Sequence, residues 1–127
     1  MTHFPHATAQ RRATRIHFGN SVPALLHLQD GQRAKAKLRT VSVTGGLLRL
    51  AQAMEAGDFV EVAFQSEIGP VRGMAELLSP VTSRDGALQP FRFIALADED
   101  HRALRNMVDL ALDRNSVHLH SLDSKNI

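Results

Sequence analysis

The sequence predicts an all-β domain finished by one C-terminal helix. Three observations carry that expectation. Short apolar–polar alternations recur along residues 21–96 at the period of two that a half-buried strand requires. Turn-forming glycine and proline residues punctuate them at short, regular intervals, as in a small sandwich or barrel. After residue 97 the apolar spacing changes to that of a helix. At 127 residues the chain builds one core and is too short for two.

Residues 1–10 read as a flexible tail and residues 11–20 as an arm leading into the fold. Ser21–Leu28 ("SVPALLHL") forms a first strand, and Gln29–Gln32 supplies the Asp-Gly signal of a tight hairpin. Arg33–Val41 ("RAKAKLRTV") alternates polar with small or apolar residues, as a half-exposed strand does. "SVTGG" turns the chain, "LLRL" follows as a short strand, and Gly57–Phe64 alternates again with Phe59 out of phase with Val60, Val62 and Phe64. After the turn at "SEIGP", Val71–Leu78 and Pro90–Leu96 flank a hairpin loop bent at Asp85-Gly86. That makes about six strands.

Asp98–Arg114 closes the domain as a helix with Leu104, Met107, Val108 and Ala111 on one face. Asp98 is the expected N-cap, and Glu99 and Asp100 complement the positive end of the dipole. Such a helix caps an open barrel end. Residues 115–127 read as a second flexible tail.

Several function classes are argued against. No apolar run approaches the roughly 18 residues a membrane helix needs, so no membrane partner is expected. "MTHFPHATAQ" has no apolar stretch behind a basic start, and a cytoplasmic location is expected. The absence of cysteine removes disulfides, thiolate zinc sites and cysteine nucleophiles. His3 with His6 and His118 with His120 lack a third ligand on a rigid element, so no metal is expected. No serine has a recognisable His and acid partner, so the protein is not expected to be an enzyme. Arg72 and Arg92 read as solvated strand arginines, and His17 and His27 as strand-surface residues.

The charge is informative in its distribution. Formal net charge is +2, and three of the fifteen basic residues are lysine, the rest arginine. Arginine suits planar, bidentate recognition of phosphate and of a guanine edge. Three arginines, Arg11, Arg12 and Arg15, crowd into "RRATR" before the first strand. About two dozen residues later, "TVSVTGG" places Ser42 three residues before Gly45, with Gly46 beside it.

With these two patterns at this spacing, the chain resembles the PilZ domain family, bacterial receptors for cyclic di-GMP. Arg11 and Arg15 match the family's RxxxR, and Thr40-Val41-Ser42-Val43-Thr44-Gly45 matches its (Asp/Asn)-x-Ser-x-x-Gly, over a likeness spanning roughly residues 10–113. The resemblance implies a six-stranded antiparallel β-barrel of split-barrel type with a C-terminal helix, a domain of residues 11–114. It also implies an N-terminal arm that folds over the ligand, and no cofactor beyond cyclic di-GMP itself. By the same resemblance Arg11 and Arg15 contact phosphate or guanine, Arg12 adds a contact, Ser42 bonds the ligand from the wall, and Gly45 and Gly46 let it approach. Thr40 departs from the pattern. Its hydroxyl accepts fewer hydrogen bonds at a guanine edge than Asp or Asn. The expectation is weakened rather than abolished binding.

Two functions compete on these grounds. One is a receptor that acts as an adaptor on an unidentified protein target in second-messenger signalling. The other is a divergent module of the same fold that makes protein contacts without nucleotide. A nucleic-acid partner is argued against by six Phe with no Tyr or Trp for base stacking.

Overall fold

The computed structural model describes residues 14–126, with side chains described as far as Asp113. The expected tail at 1–10 and the two arginines Arg11 and Arg12 lie outside the described residues. Seven strands precede one helix: β1 (Ile16–Leu28), β2 (Arg33–Ser42), β3 (Gly45–Leu50), β4 (Phe59–Ser66), β5 (Gly69–Leu77), β6 (Val81–Ser83), β7 (Gly86–Ala95) and α1 (Asp98–Asn126). Neighbours run in the order β3-β2-β1-β4-β5-β7, and antiparallel pairing of β3 with β7 closes the sheet into a six-stranded barrel. Closure removes the sheet edges that would otherwise template association.

The three-residue β6 stands outside that ring and continues the line of β5. Residues 91–95 of β7 pair with β5, whereas Gly86–Leu88 pair with β6. Between them the Leu78 amide donates to the Pro90 carbonyl at 2.9 Å, so the ladder survives the break. Pro80, which has no amide to donate, lies in that break.

Three boundaries differ most from the expected ones, the others shift by one or two residues, and β6 lies inside the expected hairpin loop. β1 begins at Ile16 rather than Ser21, so half of the expected arm is strand. β7 begins at Gly86 rather than Pro90. Its inward residues are Ala87, Gln89 and Phe91, and the polar Gln89 hides the alternation. Gln89 is fully buried and fully employed: Oε1 accepts from the Met54 amide at 2.8 Å, and Nε2 donates to the Met54 and Leu78 carbonyls at 2.8 and 2.9 Å. A buried amide with both its oxygen and its nitrogen paired ties the 51–58 loop down instead of costing stability. The helix backbone, finally, runs to Asn126 instead of ending at Arg114. No Gly or Pro stands between Asp98 and Asn126 to stop it.

The core is aliphatic. Leu26, Leu38, Leu48, Val62 and Leu77 have no exposure, and Leu104 joins them from α1. Phe59 points outward while Val60, Val62 and Phe64 point in, as the alternation predicts. Phe91 and Phe93 meet edge to face, their centroids 5.2 Å apart. At the helix start, the Ala97 carbonyl accepts from the His101 amide at 2.9 Å, which makes Ala97 the N-cap rather than Asp98. The three acids then fill the first turn, where they complement the dipole. Asp100 also accepts from the Arg72 amide of β5 at 3.0 Å and so seats the helix on the barrel.

Candidate functional site

Arg15, the described residue of the arginine pattern, and the serine-glycine pattern lie close to one irregularity in β2. Leu38 pairs with Leu48 and Thr40 with Leu47, leaving Arg39 as an extra residue. β1 is irregular at the same level, where His17 pairs with Thr40 and the next pair is Val22 with Leu38. A bulge resets the phase of a strand and re-aims its side chains. Here Val41 turns fully into the core, and Thr40 and Ser42 become buried on either side of it. Nothing in the local sequence signals this shift, because both phases of "KLRTVS" offer an apolar residue.

Ser42 opens the turn into β3, and its hydroxyl is committed there. It accepts from the Thr44 amide at 3.2 Å, lies 3.0 Å from the Thr44 hydroxyl and 3.4 Å from the Gly45 carbonyl oxygen. Only 2% of the residue is exposed. Thr40 is 8% exposed, and its hydroxyl is buried without a hydrogen-bond partner. An unpaired buried hydroxyl typically costs about 1–3 kcal/mol. It is an unfilled acceptor and donor in the wall beside Ser42.

Gly45 and Gly46 are required by close packing. A Cβ on Gly45 would collide with the Phe91 carbonyl oxygen and come within 2.8 Å of Arg92 Cα. One on Gly46 would strike the Thr40 carbonyl oxygen and stand 2.9 Å from the Phe91 ring. The pair therefore lets β3 press onto β7 and β2 where the barrel closes. The Phe93 amide donating to the Thr44 carbonyl at 2.8 Å adds a further tie.

The arm enters the sheet beside this corner. Arg15 immediately precedes the first registered pair, Ile16 with Val41, and is exposed. It lines a cleft of about 290 Å³ with Thr14, His17, Val108 and Leu112, between the arm and α1. Thr40, Ser42, Gly45 and Gly46 do not line that cleft. Arg15 thus stands beside the serine-glycine corner in the strand register, and the two do not share one preformed pocket.

Other candidates resolve simply. Arg92 pairs in register with Gly45, and its guanidinium holds Glu76 through Nε at 2.7 Å and a terminal nitrogen at 2.6 Å. With 62% of the Arg92 side chain exposed, such a pair is worth at most about 1 kcal/mol and can be traded for another anion. Arg72 is exposed. His27 Nδ1 lies 3.2 Å from Glu61 Oε1 across the β1–β4 pair, without hydrogen-bond alignment. The histidine pairs of both termini lie outside the described side chains, and no group of metal-ligating residues occurs among the described residues. No helix of the described residues is long and apolar enough to cross a membrane.

Comparison with known proteins agrees with this architecture. The family model for the PilZ domain matches residues 9–110. The fold is similar to Escherichia coli YcgR in complex with c-di-GMP, with a TM-score of 0.70 at 20% identity over 88% of this chain and 50% of that one. It is also similar to the isolated PilZ domain of YcgR with c-di-GMP, with a TM-score of 0.65 at 19% identity over 88% of this chain and 98% of that one. A third similar structure is the Bacillus subtilis inhibitor of motility MotI/DgrA, with a TM-score of 0.67 at 12% identity over 84% of this chain and 51% of that one. The chain thus spans about half the length of the first solved chains it matches. No curated protein matches the sequence.

Proposed function

Because the chain belongs to the PilZ domain family, we propose that it is a cyclic di-GMP receptor that acts as a cytoplasmic adaptor, with no catalytic step. One observation supports the reading: Ile16 pairs with Val41, so Arg15 just before it stands at the edge of the Thr40–Gly45 corner. Arg15 stands at that entry, and Arg11 and Arg12 precede it by a few residues. Guanidinium forks match both phosphate oxygens and the O6/N7 edge of guanine. The unpartnered Thr40 hydroxyl offers the barrel's own hydrogen bond. Ser42, with Gly45 and Gly46, acts by holding the corner tight. Engagement of the arm by ligand changes the surface offered to a protein target.

Calorimetric titration of the full chain with cyclic di-GMP tests this. Saturable heat at micromolar concentrations is expected, and charge reversal by Arg15→Glu removes it with the thermal melt unchanged. Absence of heat at high-micromolar ligand overturns the receptor reading. A second reading then stands, a divergent interaction module that binds no nucleotide. Two facts favour it: Thr40 replaces the acid or amide of the family pattern, and the Ser42 hydroxyl is already engaged in its own turn.

A further inference from the structure

The acidic residues are sorted around the barrel. β1, β2 and β3 contain no acidic residue, whereas β4, β5 and the first turn of α1 carry Glu61, Glu76, Asp98, Glu99 and Asp100. On β2 every second residue from Arg33 is a cation: Arg33, Lys35 and Lys37 are exposed, and Arg39 is partly exposed. Arg49 of β3 pairs in register with Lys37 and is exposed. It shares an open basin of about 590 Å³ with Lys35 and Lys37, and a second cleft with Arg39. Asp85 lines both hollows, yet none of the five cations forms an ion pair with it or with any other carboxylate among the described residues.

Like charges directly opposite on paired strands destabilise a sheet. The Lys37–Arg49 pair keeps two of them together with no internal anion to offset the repulsion. Alternate residues of a strand stand roughly 6.7 Å apart, so the row from Arg33 to Lys37 extends for about 13 Å, with Arg39 following at the bulge. We propose that this face docks the phosphodiester backbone of a nucleic-acid duplex, without reading its bases. A polymer of evenly spaced anions matches an evenly spaced row of cations. A protein partner is disfavoured, because interface hot spots are apolar or aromatic anchors. None of the exposed large hydrophobic residues lies on β1, β2 or β3. The lack of Tyr and Trp argues against stacking on single strands, which backbone docking on a duplex does not need. The segregated charge orients the barrel toward a polyanion despite a net charge of only +2.

The test is fluorescence anisotropy of the full chain with a short labelled DNA duplex of arbitrary sequence, titrated at several salt concentrations without cyclic di-GMP. Binding is expected, with a log–log salt slope of roughly −4 for up to five phosphate contacts. Lys37→Gln and Arg49→Gln each weaken it about tenfold near 0.1 M salt and flatten the slope by about one. Their thermal melts hold or rise, since each relieves a like-charge pair. Any of three results overturns the proposal. They are no binding at low salt, binding that Arg11→Gln with Arg12→Gln abolishes while Lys37→Gln with Arg49→Gln leaves it intact, and displacement by polyglutamate as efficient as by unlabelled duplex, which would assign the face to an acidic protein.

Discussion

The chain makes the same short hairpin three times, as Ser42–Gly45, Ser66–Gly69 and Ser83–Gly86. In each, the serine and glycine are a registered pair around a two-residue loop. The serine hydroxyl reaches the glycine carbonyl in all three, at 3.4, 2.7 and 3.4 Å. No described residue other than glycine has positive φ, so these loops are not the mirror-image turns that need it at their centre. The closing glycine takes the unusual conformation instead, as φ of 142° at Gly69 and 128° at Gly86 illustrates. The Ser-x-x-Gly spacing is therefore a local turn device and carries no function by itself. What sets the first copy apart is its setting. Gly69 has open space where a Cβ would go, whereas Gly45 is wedged against the Phe91–Arg92 backbone and Gly86 against the Leu50 carbonyl oxygen, so tight packing alone does not single out the first copy. Ser66 is half-buried near an open rim, whereas Ser42 is buried beside an unpartnered Thr40 and the entry of the arm.

That contrast is open to experiment. Gly45→Ala forces a Cβ into backbone and is expected to cost about 3 kcal/mol or more in urea unfolding, against about 1 kcal/mol for Gly69→Ala, where only the backbone conformation resists. Equal costs would erase the distinction between the turns. Gln89→Leu strands the Met54 and Leu78 groups it satisfies and is expected to cost about 2–4 kcal/mol with cyclic di-GMP affinity retained. Ser42→Ala is expected to lower stability by about 1–2 kcal/mol and Ser66→Ala by less than about 1, because burial raises the penalty for the groups left unpaired. The most delicate comparison is Thr40→Asn. It restores the family's side chain at the orphaned position and is expected to tighten cyclic di-GMP about tenfold by calorimetry, equivalent to one hydrogen bond of about 1.4 kcal/mol. The same substitution gives no gain if the ligand does not reach this corner.

Reading the chain without its structure went furthest where one or two residues decide the outcome. The Asp30-Gly31 hairpin is closed by the Leu28 amide on the Gln32 carbonyl at 2.8 Å and by Asp30 accepting from the Gln32 amide at 2.9 Å. The outward Phe59 and the buried Leu104 followed from period alone. Reading failed where a polar residue occupies an inward position, as at Gln89, or where a segment resembling an arm is held by pairing, as at Ile16–His17 with Val41–Thr40.

Sequence by itself determined the middles of the six barrel strands, the Asp30-Gly31 hairpin, the cationic period of β2 and the residue types gathered at the corner. All of these rest on interactions within a few positions along the chain. Only the tertiary structure decided that Arg39 bulges, that β3 meets β7, and that one of three like turns sits beside the arm. Those outcomes depend on backbone contacts between residues dozens of positions apart. A local pattern of side chains does not encode which distant strand will press against it.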